Sequence, residues 1–425
     1  MSSQPGFPAF AIARLPRIEF GAGALRKLPA IAAQYGKRLL IITGASSFTV
    51  SEAGKTLFTA LQAAGFTWEI RRVTHEPSPH WVDETVAGLQ GDSFDAVIGI
   101  GGGSPLDAAK AVAGLLKPGN SVMDHLEGVG PELPYQGSST PFIAVPTTAG
   151  TGSEATKNAV LSVSGEHGFK KSFRDDKLVA EYAIIDPDLL ATCPPAQIAA
   201  NGMDAFTQLM EAYVSTRSNP LTDALALAGM EAVRDSLLAF YRDPADSVAR
   251  GKMAYASLLS GICLAQTGLG SVHGVVAPLG AFHPIGHGVG CGMLVTEATR
   301  LNIDLLEARE PDSPALAKYT AIGKLFEETP PNLPLSGEEQ EVGDESFLPP
   351  SLIRGGLGRG FFGGYPLIHA LESWAKQLNL PRLSDFGVTE ADIPKLVANS
   401  RGSSMKTNPV ELTDSDIANL IRACL

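Results

Sequence analysis

The feature that most constrains this chain is the alternation, over its first hundred or so residues, of short apolar runs with helical patterns. RLLIIT (38–43), a helical pattern near 52–64, TWEIRRV (67–73), a second helical pattern near 81–90, DAVIGI (95–100) and then SPLDAAKAVAGLL follow in order. Strand, helix, strand at this spacing predicts a parallel sheet with right-handed crossovers. Further strands are predicted at PFIAVP (141–146), AVLSVS (159–164) and AEYAIID (180–186), whose length and β-branched content suit a buried sheet. The segment DPDLLATCPP then closes the α/β half. After Pro195 the β-branched runs thin out, and Ala, Leu, Met and Glu dominate 196–215, 219–241 and 251–273 with helical periodicity. Residues 329–364 break that pattern with Pro, Gly and acidic residues, which predicts a long surface insertion or lid before helical patterning resumes at 366.

Charge and length narrow the function classes. The chain has 425 residues, enough for two or three domains at ~150 residues each. Asp and Glu outnumber Lys and Arg 45 to 33, and the resulting charge of -12 repels phosphate backbones and anionic lipid. With no basic cluster interleaved with aromatics, nucleic acid is not an expected partner. No apolar run approaches the ~20 residues of a membrane span, and FPAFAIA near the start lacks the basic region and cleavage site of a signal peptide. A cytoplasmic, non-membrane protein is expected. Cys193, Cys263, Cys291 and Cys424 are far apart and form no CxxC pair, so they read as reduced structural thiols.

Three constellations carry possible chemistry. In IGIGGGSPLDAAK (98–110) a strand ends in Gly101, Gly102, Gly103 and Ser104 where a helix should begin, with Asp107 and Lys110 one to two turns in. Small residues let the backbone approach a phosphate, and free N–H groups at a helix start attract the anion. The spacing is not GxGxxG, so this is a variant phosphate loop or else a tight strand-to-helix turn. In VPTTAGTGSEAT (145–156), Thr147, Thr148 and Thr151 follow a buried strand, where open α/β sheets place their ligands; the alternative is a polar loop capping a helix through Ser153. In the third, Asp204 and Gln208 are four apart on one helix face, and His273, His283 and His287 follow within fifteen residues of one another. Asp204, His273 and His287 would make a two-His, one-carboxylate set suited to Fe(II) or Zn(II). Pro and Gly between the histidines forbid one continuous helix, so a loop must bring them together.

Taken together these segments resemble the iron-containing (group III) alcohol dehydrogenases, which share a two-domain architecture with glycerol dehydrogenase and dehydroquinate synthase. The resemblance covers nearly the whole chain: FGAGALRKLP, GGGSPLDAAK, PTTAGTGSE, AIIDPDLLATCPP, the Asp204 segment, GLGSVHG and SSMKTNPVEL. It implies an α/β plus all-α fold, with a Rossmann-like dinucleotide-binding domain over 1–194 and a helical metal- and substrate-binding domain over 195–425. It further implies a nicotinamide cofactor in the cleft between them, a divalent metal (Fe2+ or Zn2+) and a homodimer or larger assembly. By the same resemblance, Gly101 to Ser104 and Asp107 match the pyrophosphate loop, Thr147, Thr148 and Thr151 the nicotinamide side, and Lys170 a lysine near the cofactor. Asp204, His273 and His287 match three of four metal ligands.

The departures from the family pattern carry their own expectations. The fourth ligand, a His, is Gln208 here, whose carbonyl oxygen is a weaker and neutral donor, so metal affinity falls, the coordination opens or the metal is absent. Where NAD-specific members hold the ribose with an Asp, this chain has Gly44, Ala45, Ser46 and Ser47, which favours NADP over NAD. A substrate-side His is Ala277, and His283 is the expected replacement as proton relay, or else an exposed loop His. The expected activity is that of a metal-dependent, NAD(P)-linked alcohol dehydrogenase or aldehyde reductase acting on a small alcohol or aldehyde. The rivals are a dehydroquinate synthase-type lyase, for which the flanking segments are poor in Arg and Lys, and a non-catalytic nucleotide-binding protein that has lost its metal.

Overall fold

Six strands build one parallel sheet, and a separate antiparallel pair stands beside it. In chain order the strands are β1 (Arg17–Phe20), β2 (Arg38–Thr43), β3 (Thr67–Arg72), β4 (Ala96–Gly101), β5 (Phe142–Pro146), β6 (Asn158–Val163), β7 (Phe169–Arg174) and β8 (Tyr182–Ile185). The sheet order is β1-β8-β5-β4-β2-β3 with every neighbouring pair parallel. This computed structural model describes residues 8–327 and 364–425. The insertion expected at 329–364 therefore lies outside the described residues, apart from Gly364.

Alternation along the strands explains why both faces are covered. Leu39 and Ile41 join a core with Ile98, Ile100, Ile143 and Val145, while Leu40 and Ile42 join a second core with Val97, Phe142 and Ala144. The first face is covered by α1 (Leu28–Ala32) and by α3 (Glu52–Ala63), through Leu57 and Leu61 of the latter; the short α2 (Ser47–Val50) precedes α3. The second face is covered by α4 (Pro79–Gly88) and α5 (Gly103–Leu115). A sheet buried on both sides needs continuous apolar strands, and each fully buried Leu or Ile contributes about 1.5–3 kcal/mol. Because β2 lies between β3 and β4, the chain leaves β2 for one face and β4 for the other. The C-terminal ends of those two strands diverge into a crevice at the topological switch point, flanked by Gly44 and Gly101.

Two expectations need correction, and two strands were not foreseen. The run at 159–164 is not part of the buried sheet: β6 pairs antiparallel with β7, and Asn158, Val160 and Val163 of β6 stay at least partly exposed. Its partner was unpredicted because FKKSFR places charge on an edge hairpin, where no buried face demands an apolar run. Edge strand β1 was unpredicted for the same reason, since RIEF is largely exposed. The helical run 251–273 is two helices, broken at Gly268, which takes φ +69° where a side chain would be strained.

The second half is helical: α6 (Pro195–Val214), α7 (Pro220–Arg242), α8 (Ser247–Thr267), α9 (Ser271–Phe282), α10 (His287–Arg309), α11 (Pro314–Glu327), α12 (Tyr365–Gln377), α13 (Ile393–Asn399) and α14 (Asp414–Ala423). Start signals are local. Asn219 caps α7 in a reciprocal box with Thr222, and Asp246 caps α8 through the amides of Val248 and Ala249, each worth ~1 kcal/mol. Helix α6 lies at the centre, packed by α7, α8 and α10, and is buried without interruption from Gly202 to Val214. Among the described residues no single helix is long and apolar enough to cross a membrane. The pair α8 and α9 reaches that length and apolarity together, but is bent by 101° between them.

Candidate active site

A helix buried all round has no solvated face for polar residues, so those it carries must be partnered inside. Helix α6 carries Asp204, Gln208 and Glu211, spaced four and three apart and hence stacked on one side, and all three are buried. Glu211 is held by the start of α9: the amides of Gly270 (3.0 Å) and Val272 (2.7 Å) donate to its carboxylate, and His273 Nδ1 lies 2.7 Å from Oε2. Unpaired amides at a helix start favour a carboxylate there. The break at Gly268 thus puts His273 on the third position of α9, with Nε2 turned to Asp204 Oδ1 at 3.3 Å.

The loop HPIG ends α9 and releases the chain so that α10 begins at His287, with Cys291 one turn further on the same face. Asp204 Oδ1 is then approached by His287 Nε2 at 3.8 Å, Cys291 Sγ at 3.5 Å and Gln208 Nε2 at 3.2 Å. One donor atom each from Asp204, His273, His287 and Cys291 lies within 4.8 Å of the others. Burial, with smaller contributions from Lys170 and His273, pushes His287 down to about 4 against the pull of Asp204, leaving a neutral imidazole able to ligate. For His273, burial opposes charge, but Cys291 and the hydrogen bonds to Asp204 and Glu211 carry it well above the usual imidazole range. Burial pushes the Cys291 thiol up to about 12.

The glycine loop is built from backbone. Helix α5 starts after Gly102 with no side-chain cap, and Gly103 and Ser104 are half-exposed, so its first amides are open to an anion. Gly101 takes φ +155°, and a Cβ there would stand 2.6 Å from Pro105 Cγ. A Cβ on Gly102 would press on Thr148 and one on Gly103 on Thr151, while Thr147 N donates to Gly101 O at 2.9 Å. The two polar loops therefore form one surface. The second loop also docks on the helical half, because Gly152, at φ +59°, faces Gly261 of α8 so closely that a Cβ would meet its amide at 2.4 Å.

Beneath this surface Lys110 is fully buried, donating to Ser153 O (2.9 Å), Thr156 Oγ1 (3.0 Å) and Asn158 O (2.6 Å). Asp107 faces inward to the same network, accepting from Ser153 Oγ at 2.5 Å. Lys170 on β7 pairs with Glu76 at 2.6 Å, and its charge acts on both Asp107 in the sheet half and His287 in the helical half. Gly44 is half-buried and Ser46 exposed at the end of β2, beside the switch point.

The structure thus gathers Asp204, His273 and His287, and separately Gly101 to Ser104 with Thr147, Thr148 and Thr151. It does not gather His283, which ends α9 ten residues beyond His273, about 15 Å along a helix axis, with Nε2 3.9 Å from Asp392 Oδ1. Gln208 is adjacent to the cluster but presents its amide nitrogen, not the expected carbonyl oxygen, to Asp204. Cys291 was read from the sequence as a structural thiol and Glu211 was not singled out, although their spacing from His287 (four) and Asp204 (seven) on continuous helices was a usable signal.

Comparison with known proteins agrees with this geometry. Residues 16–187 match the family described as iron-containing alcohol dehydrogenase, and residues 198–339 match the Fe-containing alcohol dehydrogenase family, C-terminal. The chain is 32% identical to alcohol dehydrogenase 4 of Saccharomyces cerevisiae over 99% of both proteins. It is 33% identical to long-chain-alcohol dehydrogenase 1 of Geobacillus thermodenitrificans over 96% of this chain and 95% of that one. It is also 33% identical to lactaldehyde reductase of Escherichia coli over 73% and 80%. Among solved structures, a 1,3-propanediol oxidoreductase superposes with a TM-score of 0.81 at 25% identity over 98% of this chain and all of that one. Sulfoacetaldehyde reductase from Bifidobacterium kashiwanohense, in complex with NAD+, superposes with a TM-score of 0.78 at 26% identity over 98% and 99%. Two matched segments spanning both halves, and full-length relatives above 30% identity, place this chain in the iron-containing alcohol dehydrogenase family.

Proposed function

We propose that the chain interconverts a small alcohol and its aldehyde or ketone, exchanging hydride with NADP(H) or NAD(H), with a divalent metal held by Asp204, His273 and His287. The observation that carries this reading is the convergence of those three donors from α6, α9 and α10, with their ligand atoms within 4.8 Å of one another. The donor set fits a cation. A carboxylate and imidazoles are ligands for Fe(II) or Zn(II), and two atoms beside them, His287 Nδ1 and Gln208 Oε1, are buried with no hydrogen-bond partner. The relatives named as dehydrogenases and reductases of alcohols and aldehydes support the reaction class.

When bound, the metal supplies Lewis-acid polarisation of a carbinol or carbonyl oxygen, and the nicotinamide supplies the hydride chemistry. The chain's own part is alignment. The open amides of Gly103 and Ser104 receive the pyrophosphate, and the loop of Thr147, Thr148 and Thr151 lies against that site on the side of α8. Glu211 Oε2 accepts the His273 Nδ1 proton, which fixes the ring and leaves Nε2 as the ligating atom. Gln208 donates to Asp204 and restrains the carboxylate. The exposed Ser46 beside Gly44, with no carboxylate between them, suits a 2′-phosphate and so NADP(H).

The test is oxidation of NADPH and NADH against a panel of small aldehydes and ketones, on protein stripped by chelator and resupplied with Fe(II) or Zn(II). Turnover that vanishes on stripping and returns with metal is the expected result. Absence of turnover with every carbonyl, cofactor and metal, alongside intact nucleotide binding, would overturn it.

A further inference from the structure

We propose that Cys291 Sγ is the fourth metal donor of this site, making it an Asp204, His273, His287, Cys291 set in place of one completed by Gln208. The proposal rests on the metal-dependent reading above. Around a tetrahedral cation with bonds of about 2.0–2.1 Å to N or O and about 2.3 Å to S, neighbouring N and O donors stand about 3.4 Å apart, and S stands about 3.6 Å from either. The cluster shows these edges: His273 Nε2 to Asp204 Oδ1 is 3.3 Å and His287 Nε2 to the same oxygen 3.8 Å. Cys291 Sγ lies 3.5 Å from Asp204 Oδ1 and 3.7 Å from His273 Nε2. These four edges are close to those of a tetrahedral site, and the donor atoms of all four side chains lie within 4.8 Å of one another.

The chemistry of the neighbours separates Cys291 from the other thiols. Cys193 and Cys263 lie against the backbone carbonyls of Thr147 and Thr222, the surroundings of a structural thiol. Cys291 lies against a carboxylate and an imidazole, and is fully buried. Gln208 is turned so that its N–H donates to Asp204, which makes it a partner of the carboxylate in this arrangement and not a member of the donor set. Beside the cluster His287 Nδ1 and Gln208 Oε1 are buried without partners, the mark of a polar space that protein groups alone do not satisfy. A cation inverts the thiol's preference for its proton, so binding releases the Sγ proton to solvent.

The experiment uses the full chain, stripped and then loaded with one equivalent of Co(II) or Zn(II). The expected result is a near-ultraviolet thiolate-to-cobalt charge-transfer band in the wild-type protein and, by zinc X-ray absorption, a sulfur neighbour at about 2.3 Å. Cys291→Ser should abolish both while still binding cobalt, with affinity lowered by ~100-fold or more, beyond what loss of an outer hydrogen-bond partner costs. Gln208→Ala should keep the band. Stoichiometric cobalt with d–d bands but no charge-transfer band, and zinc with only N and O neighbours, would overturn the proposal and leave the metal site standing. Absence of bound cobalt would remove both. The wild-type spectra decide the matter even if a variant fails to fold.

Discussion

At the glycine loop the groups offered to a ligand are backbone amides of Gly103 and Ser104, set by residues close together in the chain. At the cluster every donor is a side-chain atom, and they come from Asp204, His273, His287 and Cys291 on three helices. The loop tolerates almost no added volume, because a Cβ on Gly101, Gly103 or Gly152 would stand under 3.0 Å from its neighbour. The cluster instead tolerates almost no change of charge or donor type, since Asp204, His273 and Cys291 are buried against one another and His287 Nδ1 has no hydrogen-bond partner among the described residues. A backbone site is therefore specified by what is missing from its residues, a side-chain site by what is present.

Substitutions can break or sharpen that contrast. The largest effect is expected from Asp204→Ala, which removes the atom on which the donors converge. It should lower kcat/KM by at least ~1000-fold, about 4 kcal/mol, with nucleotide affinity retained by fluorescence titration; equal loss of nucleotide binding would show that the two regions are not separable. Gly152→Ala should instead cost about 3–4 kcal/mol in urea unfolding, from strain at positive φ plus overpacking against Gly261. A wild-type midpoint would mean that volume is not what limits the loop.

Glu154, buried beside Ser153 in the second loop, is next. Burial pushes it up to about 7 from an ordinary 4.5, so the folded state keeps a proton that the unfolded chain releases. Stability is fully present below pH ~4.5 and falls as pH rises to about 7, by roughly 3 kcal/mol. Glu154→Gln should gain that amount in urea midpoint measurements at pH 8 and nothing near pH 4; a pH-independent difference would refute the assignment. Glu211→Gln, which loosens the hold on His273 without removing a donor, should weaken zinc binding ~10–100-fold in chelator competition. The smallest effect is expected from Ser46→Ala, a ~3–10-fold rise in KM for NADPH with that for NADH unchanged.

The sequence alone determined the parallel sheet, because β2, β4 and β5 are buried on both faces and so must be continuous apolar runs. It also showed the glycine loop, whose residues are consecutive, and picked out Asp204, His273 and His287, which the fold brings together from three helices. Strands β1 and β7 escaped notice because an exposed edge places no apolar demand on the sequence. Cys291 read as a structural thiol because burial alone makes any cysteine look like a small hydrophobe; only the packing of α10 on α6 shows that its neighbours are Asp204 and His273. His283, four residues after Leu279 in a promising motif, lies at the far end of α9 beside Asp392 and away from the cluster. Local order along the chain fixes what the backbone does, whereas the distance between side chains on different helices is set by how those helices cross. That crossing is decided by the whole core at once, which is why the fourth corner of the site became visible only in three dimensions.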